Sequence, residues 1–214
     1  MKQFLLSALL LVTAGVFAQN EKYEKAMSAN IAMLDSAVAK GPEALTALSD
    51  NFTRIGDAEK TQWLPYYYAS YATVMSAYLI EDKSKSDGLA DKADLLLKKA
   101  EALAGKENSE TCVIKSMIAT AHMMVDPQTR WQQYGESSST NLAKAKSLDP
   151  SNPRPVYLEG QTKFYTPESF GGGKVPAKEL FTKALAMYSS FKPADKLSPN
   201  WGELATKYFL SQCN

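Results

Sequence analysis

Apolar side chains recur every three or four positions along most of this chain, and strand-like alternation is absent. That period is what an α-helix shows when one of its faces is buried. Residues 21–40 set Tyr23, Ala26, Ile31, Leu34 and Val38 along one side, and Gly41-Pro42 supplies a stop and a restart. The helix after it carries Leu45, Leu48, Phe52 and Ile55 as its inward stripe. "WLPYYYASYATVMSAYL", residues 63–79, predicts a helix running to Ile80, with Pro65 tolerated in the first turn. Tyr67, Tyr71, Val74 and Tyr78 form its broad face, beside Met75 and Leu79. Helix packing with the phenol tips reaching water or a partner is the plainer reading of that face, and an aromatic platform for a ligand the lesser one. Further helices are predicted over 87–104, 109–125 with Ser109 as N-cap, from Asp126-Pro127 to Leu148, 154–165, 175–191 and onward from Trp201. Glycine and proline fall between these runs, so the expected fold is all-α, with about eight to ten helices.

The first eighteen residues differ in kind. Lys2, the apolar run "FLLSALLLVTAGVFA" and the Val16-Phe17-Ala18 junction have the order of an export signal. The expected division is therefore a leader at 1–18 and one helical domain at 19–214, in the periplasm or secreted. No second apolar stretch approaches the ~20 residues of a spanning helix. Lys and Arg total 24 against 23 Asp and Glu, and loss of Lys2 with the leader balances the two. A balanced surface lacks the basic patch that nucleic acid or anionic lipid would demand.

Candidate chemistry is sparse. Cys112 and Cys213 permit a disulfide in an exported chain, but Cys112 on a helix reads more simply as a small buried hydrophobe and Cys213 lies at the terminus. The one histidine, His122, is about 15 Å of helix rise from Cys112, too far to activate it. It also has no carboxylate pair at metal-binding spacing, so no metal is expected. "FGGGKVPAKELFTKAL", residues 170–185, sets three glycines and Lys174 before a helix. A phosphate loop needs a glycine five residues before Gly173 and a hydroxyl after the lysine; Glu168 and Val175 stand there instead. The loop reads as a bend between two helices, with an anion on its amides as the lesser alternative.

"ADLLLKKAEAL", "STNLAKAKSLDP" and "AKELFTKALAMY" align on the pairs Lys99-Ala100, Lys144-Ala145 and Lys183-Ala184, at intervals of roughly 40 residues. Each is followed by a turn and another helix, so the unit is a helical hairpin. The alanine-rich "A…LF.KAL" pattern resembles the second half of a tetratricopeptide hairpin. Together with "LDPSNPRPVYLEGQTKFYTPESFGGGKVPAKELFTKAL", "LSPNWG" and "WLPYYYA", the chain resembles the small exported tetratricopeptide-like proteins of Bacteroidetes. The resemblance implies a short right-handed α-α superhelix and an interaction surface rather than catalysis.

The expected function is accordingly non-catalytic and without a cofactor: a scaffold or adaptor holding a protein, peptide or small ligand in its concave face. The alternative is a solute-binding component of an envelope transport system. Trp63, Tyr67, Tyr71, Tyr157, Tyr165 and Trp201 are the aromatics expected to line the hollow, with Arg154 as an orienting charge. The plainer reading of Arg154 is a surface residue capping the "DPSNPRP" turn.

Overall fold

A computed structural model describes residues 21–213 and makes every regular element among them helical. The export-signal reading of 1–18 lies outside the described residues. The elements are α1 (21–31), α2 (Leu34–Lys40), α3 (Pro42–Glu59), α4 (Leu64–Leu79), α5 (Ser86–Ala104), α6 (Ser109–Met123), α7 (Pro127–Leu148), α8 (Arg154–Tyr165), α9 (Lys174–Ser190) and α10 (Glu203–Gln212). Short 3-10 turns at Lys83–Lys85 and Glu168–Phe170 precede α5 and follow α8.

Periodicity joins residues 21–40 into one helix, but the structure breaks them at Ala32-Met33. Asn30 Nδ2 donates to the Ala26 carbonyl at 2.8 Å, and the Met33 amide donates only three residues back, to the Asn30 carbonyl at 3.1 Å. A side chain competing for backbone acceptors and a tightened turn together end α1. The cap of α6 also moves by one residue. Asn108, not Ser109, accepts from the Thr111 amide and completes a capping box with the Thr111 hydroxyl. Ser109 is thereby released to donate to the Ala145 carbonyl on α7 at 2.8 Å.

Consecutive helices pack in pairs: α3 on α4, α4 on α5, α6 on α7, and α8 on α9, with α10 closing against α9. Contacts of α4 with both α2 and α6 tie the pairs together. The aligned alanines explain the close approach. Ala100 on α5, Ala145 on α7 and Ala184 on α9 are fully excluded from solvent, and the Ala145 carbonyl accepts from Ser109 of α6. Where a side chain is small, backbones come near enough for direct bonds, as when Ser70 Oγ reaches the Ala93 carbonyl at 2.7 Å.

The core centres on α4, which is buried along almost its whole length. It lies among α3, α5 and α6 and beneath the segment 191–201, whose Leu197 carbonyl accepts from Tyr68 Oη at 2.8 Å. Phe52 of α3 stacks on Tyr68 with centroids 5.2 Å apart. Each such fully buried side chain contributes about 1.5–3 kcal/mol of transfer free energy, so α4 holds the domain together. The last helix begins at Glu203, two residues later than its apolar pattern predicts, because Gly202 takes φ 108°. A β-carbon there would lie 2.1 Å from Tyr188 Oη, so this turn requires glycine.

Candidate functional site

The first turns of α4, α6 and α8 and the residue before Gly202 meet in one buried network. Pro65 and Pro155 sit in the first turns of α4 and α8, where a missing amide hydrogen costs nothing. Glu110 enters from the first turn of α6, where the helix N-terminus favours negative charge. Arg154 opens α8 and is 1% exposed. Its Nε donates to both Glu110 oxygens at 3.0 Å, and its Nη2 donates to Oε1 at 2.5 Å. Asn152 orients the pair: its Oδ1 accepts from the Arg154 amide at 3.0 Å, while its Nδ2 donates to Glu110 Oε1 at 2.7 Å and to Ser109 Oγ at 2.9 Å.

Aromatic rings enclose this pair. Tyr67 Oη donates to Glu110 Oε2 at 2.8 Å and accepts from Trp201 Nε1 at 2.9 Å. Trp201 stacks on Tyr71 at 4.4 Å, and its carbonyl accepts from Tyr188 Oη at 3.1 Å. The guanidinium lies 4.8 Å from the Phe191 ring centre and 5.5 Å from that of Trp201. Burial alone would lower the Arg154 pKa, but the adjacent Glu110 carboxylate outweighs it and holds the value above the ordinary one, so the charge is permanent. Burial, reinforced by Glu110, raises the Tyr67 pKa well above its usual value, so the phenol stays protonated and donates. The polar atoms that meet here bond one another, leaving neither a nucleophile nor an unengaged base. Chemically this is a clamp.

The residues expected to line an open hollow are distributed otherwise. Tyr67, Tyr71, Arg154 and Trp201 do come together, but inside the core, and Tyr157 is buried as well. Trp63 is half-buried at the network's edge, edge-to-face with Tyr67 at 5.6 Å. Tyr165 alone is open, 71% exposed at the end of α8. The surface-cap reading of Arg154 fails, because the guanidinium turns inward to Glu110. Missed from sequence were Glu110, Asn152, Tyr68, Tyr188 and Phe191, since no spacing along the chain ties position 110 to 154. The one available signal was the motifs themselves: "WLPYYYA", the "NPRPVY" stretch and "LSPNWG" all end in this network.

The other candidates resolve as structure. Cys112 and Cys213 are free thiols, so the bridge does not form. Burial pushes the Cys112 thiol up to about 11, with Glu107 adding to it, and the group is inert near neutrality. His122 Nδ1 is 2.7 Å from Asp87 Oδ1, and its ring stacks on Tyr134 at 5.1 Å. Among the described residues no acidic, cysteine and histidine group could hold a metal ion. In the glycine loop the amides of Gly171, Gly172 and Gly173 donate to the carbonyls of Glu168, Pro167 and Lys163. A cradle needs those donors pointing at an anion; here they close a turn.

A second aromatic assembly stands where α8, α9 and α10 meet. Phe209 of α10 stacks on buried Phe181 of α9 at 5.5 Å and lies edge-to-face with Phe164 at 5.5 Å, Tyr165 at 6.0 Å and Tyr208 at 5.5 Å. Tyr157 packs beneath, 6.4 Å from Phe209. Tyr165, Tyr208 and Leu204 face solvent. Elsewhere the surface carries shallow depressions, one of about 380 Å³ between α3 and the end of α4 near Thr46 and Ile80, and one of about 610 Å³ along α9 near Val175 and Thr182.

Packed helices, a self-satisfied polar centre and an exposed aromatic surface define this all-helical protein. The solved structure of the HusA haemophore from Porphyromonas gingivalis is similar, with a TM-score of 0.77 and 36% sequence identity over 89% of this chain and 92% of that one. At that identity over nearly the full length of both, the chain belongs to the family of that haemophore. No protein-family model matches the chain, and no curated protein does.

Proposed function

We propose that this is a non-catalytic, exported binding protein of haemophore type, which captures haem or a closely related porphyrin. One observation carries the reading: 36% identity to a haemophore across 92% of that protein's length. The geometry agrees in two respects. The buried Arg154–Glu110 pair is committed to itself and so offers no free acid or base, and the open aromatic surface suits a flat apolar ligand. The successive helix pairs with buried alanines support a tetratricopeptide-like superhelix as the scaffold, and the leader pattern supports export.

Tyr67, Tyr71, Tyr157 and Trp201, expected to line a concave face, are buried instead, so they do not form a lining for a ligand or partner. The similarity to a haemophore favours small-ligand capture over peptide binding, with delivery to an envelope transport system as the natural continuation. Titrating the purified chain lacking residues 1–18 with haemin tests this by absorbance. A saturable one-to-one complex with Kd near or below about 1 μM is expected, equivalent to roughly −8 kcal/mol. A spectrum that is simply the sum of free haemin and protein overturns it.

A further inference from the structure

We propose that the ligand's flat face seats on the ledge made by Tyr165, Tyr208 and Phe209, where the end of α8 meets α10. The assignment rests on the haemophore-type reading and locates its site. Three observations lead to it.

First, these rings form a contiguous surface. Tyr165 and Tyr208 stand nearly perpendicular to Phe209, at 82° and 76°, and Leu204 extends the surface by one helical turn. Tyr208 also contributes to raising the Tyr165 pKa, after burial, which places the two phenols within electrostatic range. By contrast, Trp131 on α7 is equally open, but among the described residues no ring contact joins it to another aromatic.

Second, the ledge is rigid from behind. Phe209 stacks on Phe181 at 21°, and Phe181 is wedged so tightly against α8 that a β-carbon at Gly160 would lie 2.6 Å from it. Exposed aromatics on a fixed base contribute little to folding and lose little freedom on binding, which is the character of a recognition surface.

Third, the charges suit the ligand. Of the charged residues within two positions of Tyr165, Leu204, Tyr208 and Phe209, Lys163 and Lys207 are cations and Glu203 is the one anion. Lys163 Nζ donates to the neutral Gly171 carbonyl at 2.9 Å, while Lys207 pairs with Glu203 on the open side of α10. A porphyrin bearing carboxylates offers an apolar plane to the rings and anions to these two lysines.

Haemin titration of four proteins tests the assignment: the wild type, Tyr165→Ser/Tyr208→Ser, Lys163→Gln/Lys207→Gln and Trp131→Ser, each checked for unchanged helix content. The tyrosine pair should weaken binding by at least about tenfold, the lysine pair by about threefold with a flatter salt dependence, and Trp131→Ser by less than about twofold. If the wild type binds while the tyrosine pair stays within twofold of it, the ledge is not the site and the haemophore-type reading stands. An unchanged affinity and salt dependence in the lysine pair removes the carboxylate contact. If the wild type itself does not bind haemin, the functional reading falls, and the ledge with it.

Discussion

The molecule contains two tyrosine-rich regions, and they use the same residue type to opposite ends. Around the starts of α4, α6 and α8, Tyr67, Tyr68 and Tyr188 bury their rings and spend hydroxyls on Glu110, the Leu197 carbonyl and the Trp201 carbonyl, while Tyr71 is buried by stacking on Trp201. At the far end of α8 and on α10, Tyr165 and Tyr208 leave their rings in water. The difference is the supply of partners. The interior provides the Glu110 carboxylate and main-chain carbonyls for the phenol tips of Tyr67, Tyr68 and Tyr188, so burial costs little there. The end of the helix stack provides only other rings, so the polar tips stay wet and the aromatic faces remain available.

The contrast predicts a wide separation in stability. Arg154→Ala should cost about 3–5 kcal/mol in denaturant unfolding, because it strands the Glu110 carboxylate in the core. The double variant Arg154→Leu/Glu110→Leu, which removes both charges, should recover most of that loss. A cost for the single variant below about 1 kcal/mol would mean that water reaches the pair and that the clamp is not structural.

Alkali should act next most strongly. Burial raises the pKa of Tyr67, Tyr68, Tyr71, Tyr78, Tyr157 and Tyr188, and pushes Tyr23 and Tyr66 up to about 12. A folded pKa above the unfolded value of about 10 means that the stabilisation is complete below pH 10 and declines as pH rises towards 12 and beyond. Tyrosinate absorbance from these rings should therefore appear together with loss of helix. Gradual ionisation in a chain that stays folded would contradict the buried placement.

A smaller effect is expected between α6 and α7. Hydrogen bonds from Lys115 and Lys144 hold Glu107 down at about 2, against an ordinary value of 4.5, and Lys115 also pairs with Glu101 at 2.8 Å. The depressed carboxylate stabilises fully above about pH 4.5 and loses that contribution as pH falls through about 2. Glu107→Gln should cost about 1–2 kcal/mol at neutral pH, the half-open lysines screening the rest. Its unfolding midpoint should converge on that of the wild type in acid, and a gap that persists to pH 2 would exclude the ion pair as its source.

Least affected should be the ledge. Tyr165→Ser/Tyr208→Ser should shift stability by no more than about 0.5 kcal/mol. A loss of several kcal/mol would make these rings part of the core and erase the distinction between the two regions.

Much of this fold was legible in the order of residues. The helix at Arg154–Tyr165 matches its prediction at both ends, and the alanines of the three lysine–alanine pairs are buried on α5, α7 and α9. The glycine loop was also readable as a turn, since Glu168 and Val175 stand where a phosphate loop needs a glycine and a hydroxyl. The candidate site was legible only as a set of residue types. Tyr67, Tyr71, Arg154 and Trp201 were singled out together, and they do meet, but as packing rather than as a lining. Tyr165 was singled out beside them and belongs to the other region.

Local periodicity, caps and turn residues act over a few positions, so the chain's own order was enough to define an all-helical protein, its helix pairs and the absence of a phosphate loop. Which tyrosines are hidden and which are open depends on Glu110 meeting Arg154 and on segment 191–201 crossing α4, contacts between positions far apart in the chain. An aromatic side chain has the same hydrophobicity wherever it stands. Its role follows from whether a partner for its polar edge arrives from elsewhere in the fold, and that information exists only once the helices have packed.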